Sequence, residues 1–88
     1  MIRIDHRNQV GSVCTTWRRG SLWLQVRHSY DTAHGPVWVA EVLRVVAYHG
    51  KPGAGFYELR NIQRGTYHSS RQRAVRAGMR AFQKAVRS

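Results

Sequence analysis

The stretch Ser70 to Ser88, SRQRAVRAGMRAFQKAVRS, decides how the rest of the chain must be arranged. Read as an α-helix, with each residue advancing roughly 100° about the axis, it sorts its residue types into three stripes. Val75, Met79, Phe82 and Val86 fall within a sector of roughly 60°, the spacing of a core-facing helix. Arg73, Arg76, Arg80, Lys84 and Arg87 fall within a second sector roughly 80° wide, about 130° from the first. Ala74, Gly78, Ala81 and Ala85 lie between them and are small enough to let another backbone come close. One side of such a helix needs a core, and another seeks negative charge.

The partner for the apolar side has to come from upstream. Ser12 to Tyr30 reads as a β-hairpin, because two runs rich in Val, Thr, Trp and Leu flank Arg18-Arg19-Gly20-Ser21, where Gly20 can supply a positive φ. With Arg19-Gly20 as the two-residue loop, Arg18 pairs with Ser21, Trp17 with Leu22, Thr16 with Trp23 and Thr15 with Leu24. One face then carries Val13, Thr15, Trp17, Leu22, Leu24 and Val26 and is the expected core face. The other carries Cys14, Thr16, Arg18, Trp23, Gln25 and Arg27, an unusual surface to give to solvent.

Around this hairpin, Met1 to Gln9 alternates Ile2 and Ile4 with Arg3 and Asp5 and is expected to form an N-terminal arm or edge strand. His28 to Pro36 reads as a loop from its Asp, Thr, Gly and Pro content. Val37 to Tyr48 (VWVAEVLRVVAY) holds five valines and a Trp and is expected to be a strand. His49 to Gly55 is a glycine-rich connection, Phe56 to Arg60 a further short strand, and Asn61 to His68 a passage into the helix with Ser69 or Ser70 as its N-cap. The reading is one α+β domain over residues 1–88: an antiparallel sheet of three to four strands within 12–60, packed by one amphipathic basic helix over 69–87.

Composition limits what such a domain does. Fifteen Lys and Arg, thirteen of them Arg, stand against four acids, for a formal net charge of +11 over 88 residues. A domain this size with that charge repels itself unless a polyanion or an acidic surface compensates it, and nucleic acid is the default partner. The guanidinium fork, which grips phosphates and guanine edges, strengthens that reading. The single cysteine, Cys14, can form neither an intramolecular disulfide nor a thiolate zinc site. The N-terminal residues lack the apolar segment of a signal peptide, and no run approaches a membrane span, so a cytoplasmic protein without a membrane partner is expected.

The segment Trp38-Val39-Ala40-Glu41-Val42, following Gly35-Pro36, resembles the AP2 DNA-binding domain, in which a Trp-x-Ala-Glu-Ile-Arg strand belongs to a three-stranded antiparallel sheet backed by one C-terminal helix. Gly65-Thr66-Tyr67-His68-Ser69-Ser70, leading to Ala74, Ala77 and Phe82, is similar to that family's passage from strand to alanine-rich helix. The resemblance implies DNA rather than RNA as partner, contacted through the exposed sheet face by Arg and Trp, and a phage or mobile-element setting. It carries Trp38, Glu41 and Arg44 over as matching positions. Because Leu43 stands before Arg44, strand alternation puts Arg44 on the opposite face from Glu41. The helix also resembles the last helix of double-stranded-RNA-binding domains, although Met1 to Gln9 does not supply their additional N-terminal helix.

The expected nucleic-acid contacts are therefore Arg73, Arg76, Arg80, Lys84 and Arg87 on the helix, holding phosphates, and Arg18, Trp23, Arg27, Trp38 and Arg44 on the sheet. No catalytic residue, metal site or cofactor is expected. Two other functions fit the same residues: a phage-type inhibitor docking its basic face on a host protein, and a small metal-independent ribonuclease using His68 with Tyr67, Arg64 and Arg71. His28, Asp31 and His34 lack the ligand spacing of a known metal site.

Overall fold

The computed structural model describes residues 1–7 and 11–87, so Asn8 and Gln9 of the expected N-terminal arm and Ser88 of the basic stretch lie outside the described residues. The elements are β1 (Ile2–Arg7), β2 (Val13–Arg19), β3 (Leu22–Asp31), β4 (Gly35–His49), β5 (Phe56–Asn61), β6 (Thr66–His68) and α1 (Arg71–Arg87). The strands form one antiparallel sheet in the order β1-β2-β3-β4-β5, and β6 pairs with β4 at Trp38–Ala40, beside the stretch taken by β5. The expected α+β architecture with its helix last is present, but the sheet is wider than three to four strands. β1 is a full edge strand, and β6 forms within what reads as a plain passage, because three residues are too few to show an alternating pattern.

The β2–β3 hairpin turns on Gly20-Ser21 rather than Arg19-Gly20. Gly20 has a φ of 59°, the first central position at which a type II′ turn places glycine. Trp17 consequently pairs with Leu24 and Thr15 with Val26, a slip of two residues from the expected register. Since side chains alternate with a period of two, a slip of two leaves every residue on its expected face.

The β3–β4 connection is tighter than the loop expected over His28 to Pro36. Asp31 organises it: its Oδ1 accepts the Ala33 N–H at 2.9 Å, its backbone carbonyl accepts the His34 N–H at 3.2 Å, and Gly35 follows at a φ of 78°. A side-chain-capped turn followed by a left-handed glycine closes a three-residue hairpin loop, so β3 runs on to Asp31 and β4 starts at Gly35. β4 is a strand throughout, as its valines require, with a register irregularity at Val46 where β5 pairs alongside.

Helix α1 starts where Ser70 Oγ accepts the Arg73 N–H at 3.2 Å, which makes Ser70 the N-cap of the two serines expected. It lies across the face formed by Trp17, Leu24, Val26, Ala40 and Val42, to which it adds Ala74 and Phe82 as fully buried residues. The buried residues of the helix are Ala74, Gly78 and Phe82, while Val75, Met79 and Val86 are only partly buried. The expected core sector of Val75, Met79, Phe82 and Val86 is thus corrected by a rotation of roughly 70° toward the small-residue stripe. The reason is the sheet: a β-carbon at Gly78 would stand 2.8 Å from Leu24 Cδ1 and 3.2 Å from Ala40 Cβ, so the strands already fill this space and only small helical residues fit against them. The larger residues fill the flank, where Met79, Phe82 and Val86 line a cavity with Met1 and Arg19.

Candidate nucleic-acid interface

The rotation of α1 fixes where its charge points. With Gly78 against the sheet, Arg73, Arg76, Arg80, Lys84 and Arg87 centre roughly 160° away from it rather than beside it. All five are exposed. Gln72 and Gln83 complete this outer face, and the helix contains no acid. At about 1.5 Å per residue, the cations from Arg73 to Arg87 form a row about 21 Å long.

The four acids of the chain are all engaged on the sheet side. Arg27 Nη2 donates to Glu41 Oε1 at 2.9 Å, His34 Nδ1 lies 2.9 Å from Asp31 Oδ2, His49 Nε2 lies 3.1 Å from Glu58 Oε1, and Arg3 sits 3.4 Å from Asp5 Oδ1. Asp5 also accepts a 2.6 Å bond from the Thr15 hydroxyl, which in turn accepts a bond from Arg71 Nη2 at 3.1 Å. The Thr15 hydroxyl above all, then the Arg3 and Arg71 charges, holds the Asp5 carboxyl below its ordinary range. The His34 contact and the Ala33 N–H do the same for Asp31. The outer face of α1 is therefore opposed by carboxylates neither from its own helix nor from these pairs.

The face of the sheet away from the helix is neither empty nor uniformly basic. The register aligns Cys14, Thr16 and Arg18 of β2 with Trp23, Gln25 and Arg27 of β3 and with Val39, Glu41 and Leu43 of β4. Cys14, Thr16, Val39 and Leu43 are buried there by their longer neighbours, and burial pushes the Cys14 thiol up. Arg27 is half-buried and tied to Glu41. Arg18 lies flat on Trp23, with its Cζ 3.9 Å from the ring centroid, and Trp23 is itself buried. Beyond it, Tyr57 packs edge-on against Trp23 at 5.1 Å and against Tyr48 at 5.0 Å between centroids. Both tyrosines keep more than two-fifths of their surface exposed.

Of the expected sheet contacts, Arg18, Trp23 and Arg27 share this open face. Trp38 does not: it lies on the helix side, packed against the core and against the His28 ring at 4.8 Å. Arg44 pairs with Leu22, on the side opposite Glu41 as strand alternation requires, and is exposed. Directly across from it on β5 stands Arg60, also exposed. Like charges facing each other across two strands destabilise the pair, so positive charge is gathered here as well as on the helix. Sequence reasoning missed Arg60, Tyr57 and Tyr48. The alternation of Tyr57 and Leu59 against Glu58 and Arg60 in FYELR carried the only signal, and without a register it could not be assigned a face.

At the opposite end of the sheet His68 Nε2 lies 2.7 Å from Thr66 Oγ1, and with Asp31, His34, Tyr67 and Ser69 it lines an open cavity of about 430 Å³. Arg64 lines a different, smaller gap beside Ala77 and Gly78, and Arg71 is directed to Thr15, so the arginines considered for a ribonuclease do not line the His68 cavity. Among the described residues no group of three or more His, Cys, Asp or Glu is placed to hold a metal ion, and no helix is long and apolar enough to cross a membrane.

Taken together, fold and surface define a small α+β domain whose single helix turns a row of cations away from the sheet it packs on. The chain matches no protein-family model, no curated protein and no solved structure.

Proposed function

We propose that the protein is a non-enzymatic nucleic-acid-binding domain, DNA rather than RNA being its partner, and that the outer face of α1 holds the phosphate backbone. The observation that carries this reading is the outward row Arg73, Arg76, Arg80, Lys84 and Arg87 on a helix without acids, in a chain whose four carboxylates each lie against an Arg or a His elsewhere. A helix kept merely as a solvated surface interleaves Glu with Lys or Arg; here like charges at Arg76, Arg80 and Lys84 repel one another by a few tenths of a kcal/mol per pair. A phosphate row removes that repulsion and releases condensed counterions.

Affinity for labelled oligonucleotides measured across a salt series tests the proposal. Five phosphate contacts give a slope of log K against log salt of about −3.5 on a single strand and about −4.5 on a duplex. Charge reversal at Arg76 and Arg80 together lowers both affinity and slope, while the fold, followed by circular dichroism, is kept. Affinity absent at low salt, or indifferent to salt, refutes the reading and points instead to an acidic protein surface as partner.

A further inference from the structure

Two clefts meet at the end of the sheet marked by the β2–β3 turn. On the helix side, Met1, Arg19, Gln83 and Arg87 bound a space of about 480 Å³. On the open face, a second cleft of about 480 Å³ lies between Ile2, Arg18, Ser21, Trp23, Val45 and Tyr57, with Gly20 at its rim. Successive residues thus line opposite clefts: Met1 and Arg19 one, Ile2 and Arg18 the other. Between them passes only the Gly20-Ser21 turn, whose Ser21 carbonyl is taken by the Val45 N–H at 2.8 Å.

Three observations give the second cleft its chemistry. Its lining contains a cation and no acid. The Arg18 side chain is half-buried and stacked on Trp23, with its Nε turned away from solvent. Tyr57 makes edge contacts to Trp23 and Tyr48, has the Arg18 guanidinium 5.8 Å from its ring centroid, and remains 46% exposed. A flat aromatic ring attached to an anion fits this lining: the ring stacks on Tyr57 against Ile2 and Val45, and the anion meets the Arg18 guanidinium.

We infer that the nucleic acid bound by this protein is single-stranded, that it runs along α1 past Arg87 and Arg19, rounds the Gly20-Ser21 turn, and inserts one base into the Arg18–Trp23–Tyr57 cleft. This inference rests on the nucleic-acid reading of the helix. The form of the strand follows from stiffness. The protein's shortest dimension is 20 Å, and a duplex with a persistence length of about 50 nm does not fold around so thin an edge, whereas a single strand does. Stacking also requires a base free of its pairing partner. The end-on cations Arg19 and Arg87 give the strand a charged route between the two faces.

Fluorescence anisotropy on the full chain separates the possibilities, with a mixed-sequence oligonucleotide prepared as single-stranded DNA, single-stranded RNA and blunt duplex DNA. Wild type binds the single strands more tightly than the duplex. Tyr57→Ala and Arg18→Gln weaken single-strand binding by about 10- to 100-fold, the range of one lost stacking contact, and leave duplex binding unchanged. Tyr57→Phe, which keeps the ring, retains wild-type affinity, and thermal melts confirm that each variant is folded. If Tyr57→Ala binds single strands like wild type while reversal at Arg76 and Arg80 abolishes binding, the cleft is unused: this inference is overturned and the helix reading stands. If wild type binds none of the three oligonucleotides, both fall together.

Discussion

Gly78 is the residue on which the helix is seated. Adding a methyl group there brings it within 2.8 Å of a fully buried Leu24 side chain and 3.2 Å of Ala40. In a helix interior Ala is favoured over Gly by about 1 kcal/mol, but overfilling a packed core costs about 1–3 kcal/mol, and here the second effect wins. Gly78→Ala is therefore expected to lower stability by about 1 kcal/mol and Gly78→Val by about 2–3 kcal/mol in denaturant titration. A stabilised Gly78→Ala would show that the helix stands further from the sheet than described. The sequence marks Gly78 as small and as part of a stripe that admits a close neighbour. It does not say that this stripe, and not the larger Val75 and Met79, faces the core, because hydrophobic size alone favours the latter. Only the bulk of Leu24 on the opposing strand decides it.

At the scale of elements, β1 is fastened to the rest by more than backbone pairing. Asp5 joins it to Thr15 of β2 and, through that hydroxyl, to Arg71 at the start of α1. The Asp5 carboxyl is held below its ordinary value of 3.8 in the folded protein, chiefly by the Thr15 hydroxyl. A group depressed in this way contributes stability that is complete above the unfolded value and is lost as pH falls through the lower, folded one. The thermal midpoint of wild type should thus decline below about pH 4, and Asp5→Asn should flatten that decline. An unchanged pH profile in Asp5→Asn would mean that the Thr15 and Arg71 contacts do not couple to folding. Most elements were readable from the chain: Ser70 as the cap, the valine run of β4, the faces of the β2–β3 hairpin. The hairpin's faces were readable although its turn was misplaced, since the slip was of an even number of residues. The alternation of Ile2 and Ile4 also marked β1 as an edge strand, whereas β6 was not readable, because its place depends on β4 being long enough to pair with both β5 and β6, a property of the assembled sheet.

For the molecule as a whole, charge opposes folding. Fifteen cations share a surface with four acids, and each acid is engaged in a local pair, so the formal charge stays strongly positive. Raising salt from about 0.05 M to about 0.5 M shortens the screening length from about 14 Å to about 4 Å and should raise the thermal midpoint by about 5 °C. A midpoint that is flat or falls with salt would mean that the cations are already compensated within the protein. The same salt weakens the proposed complex, so stability and affinity should move in opposite directions along one titration, a pattern that separates self-repulsion from general salt effects.

The aromatic wall of the open cleft belongs to β5, a strand that is exposed along its entire length, lies outside the helix-covered core and has β4 as its sheet neighbour. Local opening is cheapest where few apolar contacts must be broken, so loosening of β5 leaves the core beneath α1 closed. Tyr57 is therefore held by its ring contacts to Trp23 and Tyr48 and by the pairing of β5 with β4, not by the core beneath the helix. Damage to the proposed base site is accordingly local: substitutions in β5 are expected to change binding without changing the stability of the domain that carries it.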